Sequence, residues 1–514
     1  MTSIWSEIED LLLNVEKPAR YIGLERGAIQ PPHDPRNVAW LLTYPDAYEV
    51  GFPNQGLQIL YEIINELSIG EAERAYAPWV DLEKIMREKR IPLFSVDTHR
   101  PANEFDVVAF NLSSELVYTN LLNCIDLSGV PLRSVERGIR DPLIAAGGHC
   151  TYNPEPLADF VDFFVLGDGE EVVSELTYVI HKWKTSESTH SNREFLLREL
   201  SKIEGVYVPQ MYNVSRDQNG FQLLEPKYDD VPKLVEKRTI TSLEDWPYPK
   251  NQLVPITEVV HDRLNVEVFR GCTRGCRFCQ AGMITRPVRE RSVDQVRTMV
   301  SEGLRRTGYD QVALTSLSTA DYSHIEKAVA AVGDDPLSCG QTGVSLPSLR
   351  VDAFTVGIAA TLQGGKRSGL TFAPEAGTWR MRQVINKLIT EEDLYGAVES
   401  AFSQGWRRVK LYFLIGLPTE TDEDTLGIAD LAKNCVEIGK KYTKQASVTV
   451  SVGGFVPKPF TPFQWFGQNT IEELQRKINL LKDATNRSRG VQLKWHDPKA
   501  TLIEGVLSRG DRAL

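Results

Sequence analysis

The sequence predicts an α/β chain in which an N-terminal doubly wound, Rossmann-like parallel sheet is followed by a partial (β/α)6 barrel of the TIM type. Two observations predict it. Short apolar runs of parallel-strand character alternate with amphipathic stretches up to about residue 180, and the same rhythm resumes near residue 262. Between them lies a polar, Pro-bearing interval that separates the two sets.

In the first set the runs are VAWLLTYP, IPLFSVD, DVVAFNL, PLIAAGG and VDFFVLGDGE, with helical spacing in GLQILYEIINELS and PWVDLEKIMREKR. Five strands with crossover helices make a doubly wound sheet over residues 1–184, whose ligands bind beyond the carboxyl ends of the strands. Those ends are rich in Gly, Asn, Ser and Asp. Residues 185–255 pass from a polar SESTHSN stretch into the alternating pieces GVYVPQMYNV and GFQLLEPKY, which predict a linker carrying a small β-hairpin. The barrel, residues 256–470, is read from LNVEVFRG, DQVALTSLS, GVSLPS, GLTFAPEAG, RVKLYFLIGLP and SVTVSVGGFVP. Its helices are punctuated: Ser292 with Gln295, and Thr390 with Asp393, have capping-box spacing, while Gly308 and Gly405 stand where C-terminal caps belong. A helical extension, beginning IEELQRKINLLKDATN, fills 471–514.

A chain of 514 residues is long enough for about two to four cores. Composition is that of an ordinary globular protein, and no apolar run approaches the roughly 20 residues of a membrane helix. The N-terminus is acidic and amphipathic, without the basic start and cleavage site of a signal peptide, so a cytoplasmic location and no membrane partner are expected. A net charge of −11 argues against a protein that wraps nucleic acid. Seven cysteines in a cytosolic chain read as ligands or buried thiols rather than disulfides.

Three of them cluster in VEVFRGCTRGCRFCQAG, where a strand runs into a loop with Cys272, Cys276 and Cys279 spaced C-x-x-x-C-x-x-C. Three thiolates on one loop can hold three irons of a cubane cluster and leave the fourth open to a ligand. Gly271 and Gly275 let such a loop curl, and Arg270, Arg274 and Arg277 add positive charge beside an anionic cluster. Structural zinc is the competing reading; it wants a fourth ligand, for which His261 is the nearest candidate.

The spacing, the aromatic Phe278 before the last cysteine and the strand-end position resemble the radical S-adenosylmethionine superfamily. GLTFAPEAG, INK, VKLYFLIGLPTET and FVPKPFTPFQW are similar to the barrel of an uncharacterised branch of it, whose N-terminal domain resembles cobalamin-binding domains. The segments YPDAYEVGFPNQGLQILY and GGHCTYNPEPLADFVDFFVLGDGEE look like that domain. The resemblance implies a 4Fe-4S cluster, S-adenosyl-L-methionine and cobalamin as cofactors, and a flavodoxin or ferredoxin as electron donor. It also implies a 5′-deoxyadenosyl radical used in methylation or rearrangement of an unidentified substrate. Carried over by position, Gln280, Ala281 and Gly282 would pass beside the adenine with Phe278 backing it. Ser316 to Thr319, with Ser316 and Ser318 as the contacts, stand where relatives use Gly-Gly-Glu for the methionine amine. Glu375 would accept from the ribose hydroxyls or the amine, Lys387 would pair with the methionine carboxylate, and Gly416 with Leu417 and Pro418 would shape the adenine pocket. The plainer alternatives are a capping glutamate, a solvated lysine and a turn. FVPKPFTPFQW is a wall or lid of the site, or a surface loop. No catalytic residue is assigned beyond the cluster.

Cobalamin domains often supply a cobalt-binding histidine after the first strand, but YPDAYEVG has none. Asp97 and His99 in VDTHRPA are a near match that reads as coincidence, and Gly147, Gly148, Gly167 and Gly169 would permit close backbone approach to a ligand. Cys124 and Cys435 read as buried thiols, whereas Cys150 lies near the predicted crevice. Two other functions compete. A transfer RNA or protein methylthiotransferase would need a second three-cysteine cluster, and only Cys124 and Cys150 lie in the N-terminal domain. A non-catalytic iron–sulfur sensor or nucleic-acid module would use the basic loop RPVRERS. Because similar chains run on past RGDR, a separate polypeptide supplying a further C-terminal region is expected.

Overall fold

The computed structural model describes residues 3–30, 33–186, 192–333, 342–346 and 370–514. Most of the SESTHSN stretch, the end of GVSLPS and Cys339 lie outside the described residues. The chain divides into two compact units, one of residues 1–241, 246–262 and 510–514 and one of 242–245 and 263–509.

In the first unit, strands β1 (Val38–Tyr44), β2 (Gly70–Tyr76), β3 (Val107–Asn111), β4 (Leu143–Gly147) and β5 (Phe163–Val165) pair in parallel in the order 2-1-3-4-5, with the two-residue β6 (Val206–Tyr207) antiparallel at the edge. The order reverses between β1 and β3, so this is the doubly wound sheet expected, with its ligand crevice beyond the ends of those two strands. The second strand is not the one expected. IPLFSVD contributes only an isolated bridge from Phe94 to Pro101, and the sheet position belongs to GEAERAY. Its charged residues read as surface, yet Arg74 is 0% exposed. The burial is possible because Arg74 is paired: its guanidinium meets Glu25 at 3.0 Å and Asp97 at 2.7 Å. The expected hairpin forms from β7 (Tyr212–Arg216) and β8 (Gln222–Pro226).

In the second unit, β9 (Leu264–Glu267) runs into a short antiparallel pair, β10 (Phe269–Arg270) with β11 (Arg289–Glu290). Then follow β12 (Gln311–Thr315), β13 (Gly343–Ser345), β14 (Leu370–Glu375), β15 (Arg408–Ile415), β16 (Ser447–Gly454) and β17 (Val491–Trp495). Two all-parallel sheets result, ordered 13-12-9 and 14-15-16-17. One apolar face of these strands, including Val312, Phe372, Leu411 and Val450, forms a common core with helices 391–403, 422–440 and 471–485. β17 lies in the segment expected to be purely helical. Its pattern, VQLKW, alternates over only five residues, too short a run to show beside the strong helix before it.

The caps follow the residues that predict them. Thr390–Asp393 and Thr421–Asp424 close complete capping boxes. Ser292 caps its helix alone, because the Gln295 amide turns to the Glu244 carbonyl and Glu244 takes the Ser292 N–H.

Candidate cofactor site

The cysteine loop is closed at its base by the β10–β11 pair, which joins Phe269 to Glu290 and Arg270 to Arg289. Both predicted loop glycines take left-handed backbone, Gly271 at φ 95° and Gly275 at φ 71°. A side chain on Gly271 would lie 2.6 Å from the Pro287 carbonyl. Cys279 then caps the helix Gln280–Ile284, its Sγ accepting from the Gly282 N–H at 3.3 Å. Gly282 lies against two of the cysteines: a Cβ there would make ordinary contact with the Cys279 Sγ at 3.4 Å and the Cys272 Cβ at 3.8 Å. All three cysteines are half-buried. Burial pushes the Cys279 thiol up; the Gly282 N–H and Lys387 act against it, while Cys272 and Glu375 add to it. No three His, Cys, Asp or Glu side chains among the described residues converge as a single metal ion requires. A cubane asks for one thiolate at each of three separate corners, which this loop can supply.

Two neighbouring turns hold the loop. On one side Arg274 pairs with Asp321, whose carboxylate also accepts from the Ser318 hydroxyl at 2.6 Å. Ser316 and Ser318 therefore stand in a self-bonded turn after β12, with the Ser316 hydroxyl donating to Thr319 at 3.1 Å. On the other side lies INK. Ile385 packs in the apolar group of Ala376, Met381, Leu417, Phe455 and Phe463 that also receives Phe278. Asn386 donates its amide to the Gly275 carbonyl at 3.0 Å, and Lys387 lies 3.5 Å from Glu375. The sequence singled out only Lys387 of these. The signal for Asn386 was its place beside Lys387, but a backbone clamp has no chemistry of its own to announce it.

The loop arginines are engaged structurally rather than left over for a cluster. Arg270 pairs with Glu267 at 3.0 Å, and Arg277 donates to the Gln383 and Val384 carbonyls at the end of the helix Trp379–Val384. In RPVRERS, Arg289 and Arg291 are buried and donate to backbone carbonyls, Arg291 to Glu267 at 2.9 Å. That loop offers Arg286, which is exposed, rather than a basic patch.

Glu375 ends β14 at φ 68°, a left-handed conformation that costs a non-glycine residue about 1–3 kcal/mol. The turn after it is tightly constrained. Buried Arg382 donates to the Ala376 and Gly377 carbonyls, and a Cβ on Gly377 would lie 2.3 Å from the Asp424 carbonyl. Burial raises the Glu375 carboxyl, while Lys387 opposes the shift. The structure thus brings Glu375 and Lys387 into one ion pair, not a cap and a solvated lysine. Gly416 is also left-handed, at φ 79°, and faces Asn469 and Leu474. From FVPKPFTPFQW, Phe455 and Phe463 are buried in the apolar group behind Phe278, and the Pro459 carbonyl lies 3.4 Å from the Gln280 amide. Trp465, by contrast, is 82% exposed.

In the first unit the strand-end glycines differ in role. A Cβ on Gly147, at the end of β4, would meet nothing within 4 Å, whereas Gly148 abuts the Leu112 carbonyl and Gly167 the Arg238 carbonyl. Gly167 and Gly169 therefore admit the chain's own atoms rather than a ligand; Leu60 lies against Gly169. His99 is not presented to the crevice. Its Nε2 lies 2.9 Å from the Tyr21 carbonyl, its ring packs between Trp5 and Phe94, and burial lowers its pKa. Asp97 is held by Arg74. The histidine that does stand at a strand end is His149, exposed just after Gly147 and Gly148. Burial pushes the Cys124 and Cys435 thiols up to about 12, and Cys150 is buried as well.

Comparison with known proteins agrees with this architecture. Residues 56–209 match the family described as radical SAM proteins, N-terminal, and residues 266–432 match the radical SAM superfamily. The chain is 28% identical over 437 residues to the uncharacterized protein MJ0966 of Methanocaldococcus jannaschii, covering 83% of each chain. It is 25% identical over 301 residues to the uncharacterized methyltransferase PH0819 of Pyrococcus horikoshii, covering 57% of each. The fold is similar to that of the radical S-adenosylmethionine methyltransferase TsrM from Kitasatospora setae, solved with cobalamin and a 4Fe-4S cluster. The TM-score is 0.51 at 15% identity, over 86% of this chain and 78% of that one. The cobalamin-dependent S-adenosylmethionine radical enzyme OxsB matches with a TM-score of 0.50 at 13% identity, over 89% of this chain and 57% of that one. Among the described residues no helix is long and apolar enough to cross a membrane.

Proposed function

The chain belongs to the radical SAM superfamily, an enzyme that uses a 4Fe-4S cluster and S-adenosylmethionine, and from that premise we propose that it is a cobalamin-dependent methyltransferase acting at an unactivated carbon. The observation that carries the reading is the cysteine loop, clamped by the Asp321 turn on one side and by Asn386 on the other. Cys272, Cys276 and Cys279 would each hold one iron, and the cluster would supply the electron that cleaves a C–S bond of S-adenosylmethionine to methionine and a 5′-deoxyadenosyl radical. The chain's own residues bind and orient that cofactor. Glu375 accepts from its amine or ribose hydroxyls, and Lys387 pairs with its carboxylate. Phe278 backs the adenine with the apolar group behind it, Gln280 and Gly282 line its edge, Gly416 shapes the pocket, and Ser316 and Ser318 take the place of an acidic amine contact. A flavodoxin or ferredoxin serves as electron donor.

Cobalamin would occupy the first unit. The supports are the 2-1-3-4-5 strand order, the open space at Gly147, and the cobalamin-bound TsrM fold. Methylation is favoured over rearrangement because PH0819 and TsrM, to which the chain is similar, are named methyltransferases. Anaerobically purified protein, reduced and supplied with cobalamin and methyl-labelled S-adenosylmethionine, should show cluster and corrin spectra and label on the cobalt. Cluster spectra without any turnover of S-adenosylmethionine would leave a sensor instead.

A further inference from the structure

One face of the four-stranded sheet of the second unit is covered by the helices 391–403, 422–440 and 471–485. On the helix side Val409, Leu411, Phe413, Val448 and Val450 are core residues. On the other side the register aligns Lys410 with Thr449 and Gln492, and Tyr412 with Ser451 and Lys494. Lys410 donates to the Tyr412 hydroxyl at 2.6 Å and lies 4.2 Å from its ring centroid, which leaves two of its three ammonium donors without a partner among the described residues. Neither Lys410 nor Lys494 meets a carboxylate among the described residues, whereas Lys433, Lys440 and Lys477 of the same unit all do. Thr449 and Ser451, 8% and 5% exposed, carry hydroxyls without a hydrogen-bond partner among the described residues. Neither oxygen is among the buried polar atoms left without a partner, so water or a ligand can reach both. Two residues toward the carboxyl end from Tyr412, Leu414 packs against the apolar group that holds Phe278 of the cysteine loop. With a rise of about 3.3 Å per residue, the cationic rows therefore begin roughly 7 Å down the sheet from that edge.

We propose that this opposite face, carrying Lys410, Tyr412 and Lys494, binds the substrate and that the substrate carries an oxyanion, a carboxylate or a phosphate. Lys410 and Lys494 neutralise it, and Tyr412, Thr449 and Ser451 supply the remaining hydrogen bonds. This rests on the second unit being the radical barrel, and adds to it the chemical class of what the barrel takes in. The cations stand in a chain of net charge −11, so an anion drawn to this face is recognised locally rather than by the charge of the whole.

Cluster-loaded protein, with S-adenosylhomocysteine filling the cofactor site, is titrated calorimetrically with succinate and with inorganic phosphate at low ionic strength. One or both should bind wild type at one site per chain, and Lys410→Gln and Lys494→Gln should each weaken that binding about tenfold or more. Lys433→Gln, on the helix side, should not change it. Tighter binding of succinate identifies a carboxylate substrate, and tighter binding of phosphate a phosphorylated one. Failure of wild type to bind either probe, or equal affinity in the Lys410 and Lys494 variants, overturns the proposal. Formation of 5′-deoxyadenosine by wild type is measured separately: its absence removes the radical-enzyme reading, while its presence without anion binding removes only this inference.

Discussion

The Lys387 ammonium lies 3.5 Å from the Glu375 carboxylate, so two residues twelve apart in sequence form one charged unit at the end of β14. Lys387 opposes the burial that raises the Glu375 carboxyl. Their effects on cofactor binding should therefore be coupled. Glu375→Gln and Lys387→Met should each weaken S-adenosylmethionine binding by about 10- to 150-fold, the value of one charged hydrogen bond of about 1.5–3 kcal/mol. The double variant should lose less than the product, with a coupling of about 0.5–3 kcal/mol. Calorimetric titration of all four proteins with iron content matched decides it. Unchanged affinity in the single variants leaves the pair a structural device of the EAGT turn.

A second expectation concerns the thiolates themselves. Removing one corner ligand of a cubane removes the cluster, not a fraction of it. Cys276→Ala should lose the brown colour, about four irons per chain and 5′-deoxyadenosine formation together. Cys435→Ala, at a thiol buried far from any ligand role, should keep all three while losing some stability. Retention of iron and cleavage by the Cys276 variant would be incompatible with the ligand assignment.

The turn that follows Glu375 gives a pH-dependent test. Burial alone would raise Asp424, but the Arg380 guanidinium and the Thr378 hydroxyl overcome it and hold the carboxyl at about 2. A carboxyl depressed below its ordinary value of about 3.9 stabilises the fold fully above that pH and loses its contribution as pH falls through about 2. Asp424→Asn should cost about 1–3 kcal/mol near neutrality, a fall in Tm of roughly 2–10 °C. The gap between variant and wild type should narrow between pH 5 and pH 2. Denaturant unfolding at pH 6 and pH 3, followed by tryptophan fluorescence, reads both. A gap that is constant with pH means that Asp424 acts through shape alone.

What the sequence made legible was whatever announces itself locally. The two loop glycines and the Thr390 cap depend on a few adjacent residues, and each is realised. GEAERAY was invisible because Arg74 is neutralised by Glu25 and Asp97 and Glu71 by Arg100, partners from distant segments, so burial could not be read from composition. The candidate cofactor contacts were legible one by one, but not as pairs. Nothing in PEAG or INK states that Glu375 and Lys387 meet, since the meeting depends on how the turn through Gly377 packs on the helix 422–440. That Lys410 meets no carboxylate among the described residues was likewise hidden, because strand alternation gives its face but not its neighbours.

The last prediction concerns cobalt. If the first unit binds cobalamin, a protein nitrogen on the metal could come from a histidine at the carboxyl end of the sheet, and two are near enough in sequence to be considered. His99 is withdrawn from that edge: its Nε2 is bound to the Tyr21 carbonyl, and its ring is held beside Trp5 and Phe94. His149 is exposed at the end of β4, next to the open space at Gly147. The segment after β1, where cobalamin domains commonly carry their ligand, has no histidine at all. We therefore expect the corrin to be gripped by shape and backbone hydrogen bonds, with water or no ligand below the cobalt. Wild type, His99→Ala and His149→Ala are reconstituted with hydroxocobalamin, freed of unbound corrin and compared by visible and, after reduction, paramagnetic spectra. All three should retain corrin with the same spectrum, and the cobalt(II) signal should lack nitrogen hyperfine splitting. A nitrogen-split signal lost only in His149→Ala makes that residue the ligand. Failure of all three to retain corrin leaves the first unit a cobalamin-type fold that has lost the cofactor.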